Sequence, residues 1–198
     1  MDKIKFLRRV LVAVVLYVAL LFQTVLWAEP LNVPFVAQFN TNACGAAALE
    51  MVYKYYGKSD ITQQEIFNKL KEKEPELRRE NRISTDHLVS DAQARGFRAF
   101  WDRVDYSEQN EALQVLKYYL SRKTPVIVCQ QFTKKSRKIG HFRVVVDVDE
   151  DQYIYFYDPD EGHDLIKWPI DQFMDYWQPT GQNVTGGVYI VIEKNNQE

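Results

Sequence analysis

The chain is poor in the residues that build metal and redox centres. It has two cysteines, Cys44 and Cys129, and three histidines, His87, His141 and His163, in 198 residues. There is no CxxC pair and no His/Cys cluster, so neither a metal site nor a cofactor is expected. Internal repeats and low-complexity tracts are missing, which sets aside solenoids and compositionally biased arrays. A charge imbalance is missing too. The 25 Lys+Arg nearly match the 27 Asp+Glu, for a net charge of −2. That balance carries no general nucleic-acid signature. The local basic cluster Lys134, Lys135, Arg137, Lys138 reads as a solvated loop.

One stretch of the chain has almost no polar residues. Lys3, Lys5, Arg8 and Arg9 precede Val10–Trp27, an uncharged and mostly apolar run. As a helix it would span about 27 Å, close to the ~30 Å of a bilayer's hydrocarbon core. Residues 1–28 therefore read as a signal peptide or an uncleaved N-terminal transmembrane anchor, set apart from residues 29–198. Ala28 could end a cleavage site, although Leu26 is large for the minus-three position. Either reading exports the rest of the chain, because the basic flank stays in the cytoplasm. The expected location is periplasmic or otherwise extracytoplasmic, secreted or held at the inner membrane by residues 10–27. Without residues 1–28 the chain has 21 basic and 26 acidic residues, net −5, and its length suits one domain.

Within residues 29–198, helix signals come first. Pro30 to Val36 reads as an extended lead-in and Gln38–Ala43 as a polar loop. Cys44 to about Tyr56 is predicted as a helix stopped by Gly57, with Leu49, Val52, Tyr53 and Tyr56 on one buried face. Thr62–Glu65 resembles a capping box for a second helix carrying Ile66, Phe67 and Leu70. Residues 71–82 are highly charged and read as a solvated insertion. Ser84 caps a third helix that Gly96 closes, residues 97–102 suggest a short strand, and residues 110–121 form a fourth helix. From Pro125 the pattern turns to β: 126–131, 142–148, 153–157 and 188–192, with a short helix at 170–176. Helices followed by clustered strands predict an α+β fold with an antiparallel meander.

The chemistry centres on Cys44. A helix N-terminus presents unpaired N–H groups and a partial positive charge, so a thiol there ionises more readily. Gly45 after it reads as room for substrate, and Ala46, Ala47 and Ala48 as a surface that packs closely on a sheet. Cys129 lies in a β-branched run. A Cys44–Cys129 bridge and a pairing of one reactive with one core thiol are both open, and the features around Cys44 favour the second. Of the histidines, His141 follows a glycine at the start of a strand, where a side chain can face a cleft. His87 reads as a solvent-facing helix residue and His163 as part of a turn-rich loop. Asp158 ends the strand after His141, and paired antiparallel strands bring those ends together. It could accept Nδ1–H of the ring, leaving Nε2 to take a proton, with Asp160 and Asp164 as competitors. Gln38, six residues before Cys44, could offer its side-chain amide to an oxyanion, alongside the Cys44 backbone N–H.

These elements resemble a known family in order and kind. Val33-Pro-Phe-Val-Ala-Gln38, Cys44-Gly45, Tyr55-Tyr-Gly57, Lys123-Thr-Pro-Val-Ile-Val, Gly140-His-Phe-Arg-Val-Val-Val and Tyr157-Asp-Pro159 are similar to the double-glycine leader peptidases that process bacteriocin precursors. The resemblance covers nearly all of residues 31–193. It implies a papain-like cysteine peptidase fold, an N-terminal helical half packed on an antiparallel β-sheet. It implies Cys44 as nucleophile, His141 as base, Asp158 as orienting acid and Gln38 as oxyanion donor, with a peptide or protein substrate that could be a Gly-Gly leader precursor. The alternatives are a papain-like transpeptidase or amide acyltransferase and a non-catalytic peptide-binding module. A cell-wall amidase of NlpC type fits less well, because those resemble Asp-Cys-Ser-Gly at the nucleophile and this chain has Ala43-Cys44-Gly45.

Overall fold

Among the described residues, six strands form one antiparallel sheet, running in space from 98–103 through 188–193, 126–131, 140–149 and 153–157 to 166–169. The computed structural model describes residues 29–73, 83–105, 108–133, 139–149, 152–178 and 186–195. Its elements are α1 (Cys44–Tyr55), α2 (Gln63–Lys73), α3 (Thr85–Ala94), β1 (Arg98–Arg103), α4 (Gln109–Ser121), β2 (Val126–Gln131), β3 (Gly140–Asp149), β4 (Tyr153–Tyr157), β5 (Ile166–Pro169), α5 (Ile170–Tyr176) and β6 (Val188–Glu193). The expected α+β architecture is present. The N-terminal segment 1–28, most of the charged insertion and the basic cluster at 134–138 lie outside the described residues. Among the described residues no helix is long and apolar enough to cross a membrane.

The helices begin and end where their backbone groups find partners. Thr62 Oγ1 accepts the Glu65 N–H at the start of α2. Ser84 caps α3 by accepting from the His87 N–H, while the His87 ring accepts the Ser84 N–H. His87 is therefore a capping residue, where the sequence suggested a solvent-facing one. At the far end of α1 the Gly57 N–H reaches Lys54 O and the Lys58 N–H reaches Tyr53 O. This six-to-one closure needs a left-handed residue, which Gly57 supplies at φ 84. α4 closes the same way on Lys123, at φ 60, with no glycine to announce it.

The meander holds only for β2-β3-β4-β5. β6 returns to pair with β2 on one side and β1 on the other, both antiparallel. β5 was not foreseen. It is a four-residue edge strand ending in proline, and an edge is where a missing N–H is tolerated.

α1 departs from its expected single buried face. Every residue from Cys44 to Tyr53 is buried, including Glu50. The helix runs through the core, between the sheet and helices α2 and α3. The small residues make this possible. A β-carbon on Gly45 would stand 3.1 Å from Leu88 Cδ2 and 3.2 Å from Phe142 Cδ2. Gly45 therefore leaves room for α3 and β3 rather than for substrate, and Ala46, Ala47 and Ala48 are fully buried beside it.

Candidate active site

α1 places Cys44 at its first residue. The N-cap, Ala43, has no side chain able to accept a hydrogen bond, and the first turn carries no acid. The N-terminal N–H groups and their partial positive charge are thus left to act on whatever sits there. The Cys44 thiol is buried at 9% exposure. Burial opposes its ionisation. A hydrogen bond and the charge of His141, with the backbone N–H groups of Phe142 and Gly45, outweigh that and bring the thiol below its ordinary range.

His141 is the second residue of β3 and is almost fully buried. Its Nε2 lies 2.6 Å from Asp158 Oδ1. A carboxylate only accepts, so Nε2 carries the proton of that bond and Nδ1 is the nitrogen left for Cys44. This reverses the tautomer expected from the sequence. The reason is positional: Asp158 follows β4 directly, and β4 pairs with β3 along Val144–Tyr157 and Val145–Phe156. Asp158 thus approaches the ring from within the sheet, while Cys44 meets it from the helix. Burial works against the imidazolium, but the hydrogen bond to Asp158, followed by that to Cys44, pushes the ring up to about 9.

Asp158 is 1% exposed and holds three hydrogen bonds. Oδ1 accepts from His141 and from the Asp160 N–H at 2.9 Å, and Oδ2 accepts from Arg143 Nε at 2.7 Å. Burial opposes its charge. The His141 hydrogen bond and charge, then Arg143 and the Asp160 N–H, hold it below the usual carboxylate range.

Gln38 is bound to the loop that follows Asp158. Its N–H donates to Pro159 O at 2.9 Å and its Nε2 to Asp160 Oδ1 at 2.6 Å. One of the two amide hydrogens is therefore already engaged by Asp160. Gln38 Oε1 is buried without a hydrogen-bond partner. The Gln38 loop is pinned from the other side by Gln63, whose Nε2 donates to Ala37 O and whose Oε1 accepts from the Phe39 N–H. The buried Glu50 of α1 in turn accepts the Gln63 N–H at 2.6 Å.

The competing residues lie elsewhere. His163 is exposed and meets the Phe35 ring edge-on. Asp160 contacts Gln38 rather than His141, and Asp164 is exposed. Cys44 and Cys129 are both free thiols. Burial, then the nearby Cys44, pushes the Cys129 thiol up to about 12, far from reactivity. Among the described residues no cluster of His, Cys, Asp and Glu could hold a metal. Sequence reasoning missed Arg143, Glu50, Gln63 and the role of Asp160. A charged residue within an apolar strand was the one available signal for Arg143.

The sequence model of the Peptidase_C39 like family matches residues 30–185. The peptidase domain of Streptococcus ComA, a bi-functional ABC transporter involved in a quorum-sensing pathway, has a TM-score of 0.58 and 21% identity, covering 82% of this chain and 98% of that one. A double glycine motif protease from an AMS/PCAT transporter, solved in complex with the leader peptide, has a TM-score of 0.54 and 19% identity, covering 84% and 94%. The peptidase domain of Streptococcus mutans ComA has a TM-score of 0.50 and 19% identity, covering 80% and 97%. No curated protein sequence matches. The shared fold is papain-like, helices on an antiparallel sheet, and the class is that of cysteine-type peptidases, which are hydrolases. The chain belongs to the Peptidase_C39 like family.

Proposed function

We propose that this protein hydrolyses peptide bonds outside the cytoplasm, using Cys44, His141 and Asp158 with Gln38 as an oxyanion donor. The observation that carries the reading is the continuous buried chain from the Cys44 thiol through the His141 ring to Asp158, closed by the 2.6 Å contact. His141 Nδ1 takes the Cys44 proton, and the thiolate attacks the scissile carbonyl carbon. The resulting oxyanion is met by the second hydrogen of Gln38 Nε2 and the N–H groups at the start of α1. Nδ1 returns its proton to the leaving amine, which breaks the C–N bond. Water, deprotonated by the same nitrogen, then releases the acyl group from sulfur. Throughout, Nε2 stays on Asp158, which orients the ring and stabilises its charged form.

The substrate class suggested by the resemblance is a precursor peptide with a Gly-Gly leader, since the solved relative named for a double glycine motif was captured with its leader peptide. Export is supported by the basic-then-apolar order of residues 3–27. The test is incubation of the full chain, and of Cys44→Ala, with a synthetic Gly-Gly precursor, read by mass spectrometry with a competing amine present. Cleavage to a free carboxylate by the native chain alone is expected. An amine-capped product would make the protein an acyltransferase. Tight binding without cleavage would make it a peptide-binding module.

A further inference from the structure

Arg143 has the surroundings of a built site rather than of a structural accident. Strand alternation puts it on the same face of β3 as His141, one pleat further along. It is 1% exposed, and a guanidinium is among the costliest groups to bury. Four of its five N–H donors have acceptors. Nε donates to Asp158 Oδ2 at 2.7 Å, Nη1 to Gln131 O at 3.0 Å and Gln130 Oε1 at 3.3 Å, and Nη2 to Phe132 O at 3.1 Å. The rings of Trp168, Tyr176 and Phe156 lie 5.3–5.9 Å from its central carbon. Gln130, which accepts from it, is itself held by donating to Phe173 O.

Charge explains why such a residue would be kept. A thiolate and an imidazolium together are neutral. Adding an ionised carboxylate leaves the buried site one negative charge in excess, and a buried unpaired charge is strongly disfavoured. The guanidinium makes the row thiolate, imidazolium, carboxylate, guanidinium, alternating in sign and neutral in sum. We infer that Arg143 is a positioning residue, which balances and fixes Asp158 so that an acid, instead of a neutral amide, can orient His141. This rests on the peptidase reading of Cys44. The charged and titratable groups that face the row are Cys129 from β2, Tyr176 from α5 and, at the rim, Asp160.

The coupling of Arg143 to Asp158 distinguishes this role from plain structural support. Arg143→Met strands the carboxylate, and kcat should fall roughly a hundredfold. Asp158→Asn strands the guanidinium instead and should also lose activity. In the double variant neither charge is stranded, so activity should recover by about tenfold or more over Arg143→Met, as for directly coupled sites. Arg143→Lys keeps the charge but loses the planar fork. It should hold the pH limbs and lose rate alone.

The pH profile of Cys44 alkylation needs no substrate and therefore reads the proposal even if the natural substrate is never found. Without the guanidinium, the imidazolium is favoured and the thiolate disfavoured. The rise of alkylation with pH should then move to higher pH in Arg143→Met and fall back toward lower pH in the double variant. An unmoved rise in a folded Arg143→Met overturns the inference. Should that variant not fold, a folded double variant is the expected rescue. A double variant that is equally unfolded overturns it too, leaving Arg143 a brace for the carbonyls of Gln131 and Phe132.

Discussion

Asp160 Oδ1 accepts a hydrogen bond from Gln38 Nε2 at 2.6 Å, across 122 residues of chain. The same loop offers Pro159 O to the Gln38 N–H, and the Asp160 N–H donates to Asp158. Asp158-Pro159-Asp160 therefore links the group that orients His141 to the side chain that would stabilise an oxyanion. A displacement of this loop moves both together.

Gln38→Ala should lower kcat by about a hundredfold with little change in KM, as for loss of one oxyanion donor. Asp160→Ala frees the amide to rotate and should cost about tenfold through lost orientation. Asp160→Asn, whose carbonyl still accepts, should sit close to the native rate. Steady-state kinetics on one peptide checks all three. A change confined to KM would make Gln38 a substrate-binding residue instead.

Activity and thiol reactivity should separate at high pH. The thiolate forms below the ordinary thiol range because His141 stabilises it, and the imidazolium persists up to about 9. Turnover needs both, so it should rise as Cys44 ionises and fall as pH passes about 9. Alkylation needs only the thiolate and should not fall there. The two limbs belong to the coupled pair rather than to either residue alone. Iodoacetamide should modify Cys44 well before Cys129, whose thiol stays protonated until about 12. Labelling of Cys129 first would overturn the assignment of the nucleophile.

The sequence carried the fold where local chemistry was self-sufficient. Thr62, Ser84 and Gly57 mark helix ends by groups that bond their own neighbours, and those helices start and stop within a residue or so of the expected places. β2, β4 and α5 match their apolar runs to the residue. What was not legible depended on contacts distant in sequence. The place of β6 between β1 and β2 is set by pairing, and the Glu50 bond to Gln63 by helix packing. Cys44, His141, Asp158 and Gln38 were each singled out by residue type and position, and all four lie in one connected set of contacts. The tautomer of His141 was not legible, because it depends on which side of the ring Asp158 approaches.

Gly45 gives a prediction about packing. Gly45→Ala introduces a methyl 3.1–3.3 Å from Leu88 and Phe142, closer than side chains normally pack. The crowding should cost about 1–3 kcal/mol, offset in part by up to ~1 kcal/mol of helix propensity. Each net kcal/mol should lower the melting midpoint by about 2–4 °C in a chain of this size. Thermal unfolding by circular dichroism measures it, with KM expected to be unchanged. A raised KM at native stability would return Gly45 to a role in admitting substrate.

The last prediction concerns which side of the membrane the site works on. Lys3, Lys5, Arg8 and Arg9 precede the uncharged run Val10–Trp27, and no lysine or arginine follows until Lys54. That asymmetry should hold the N-terminus in the cytoplasm and carry everything after residue 28 across. Alkaline phosphatase fused after Glu198, which folds only once exported, should be active. A fluorescent protein that matures only in the cytoplasm, fused at the same place, should stay dark. The opposite pattern would place the site in the cytoplasm and require another role for residues 10–27. Mass spectrometry of the mature N-terminus then separates two forms of export. A chain beginning at Glu29 has lost a signal peptide, and one beginning at Met1 keeps a single membrane anchor. The second is expected, because Leu26 and Trp27 make a poor cleavage site for signal peptidase.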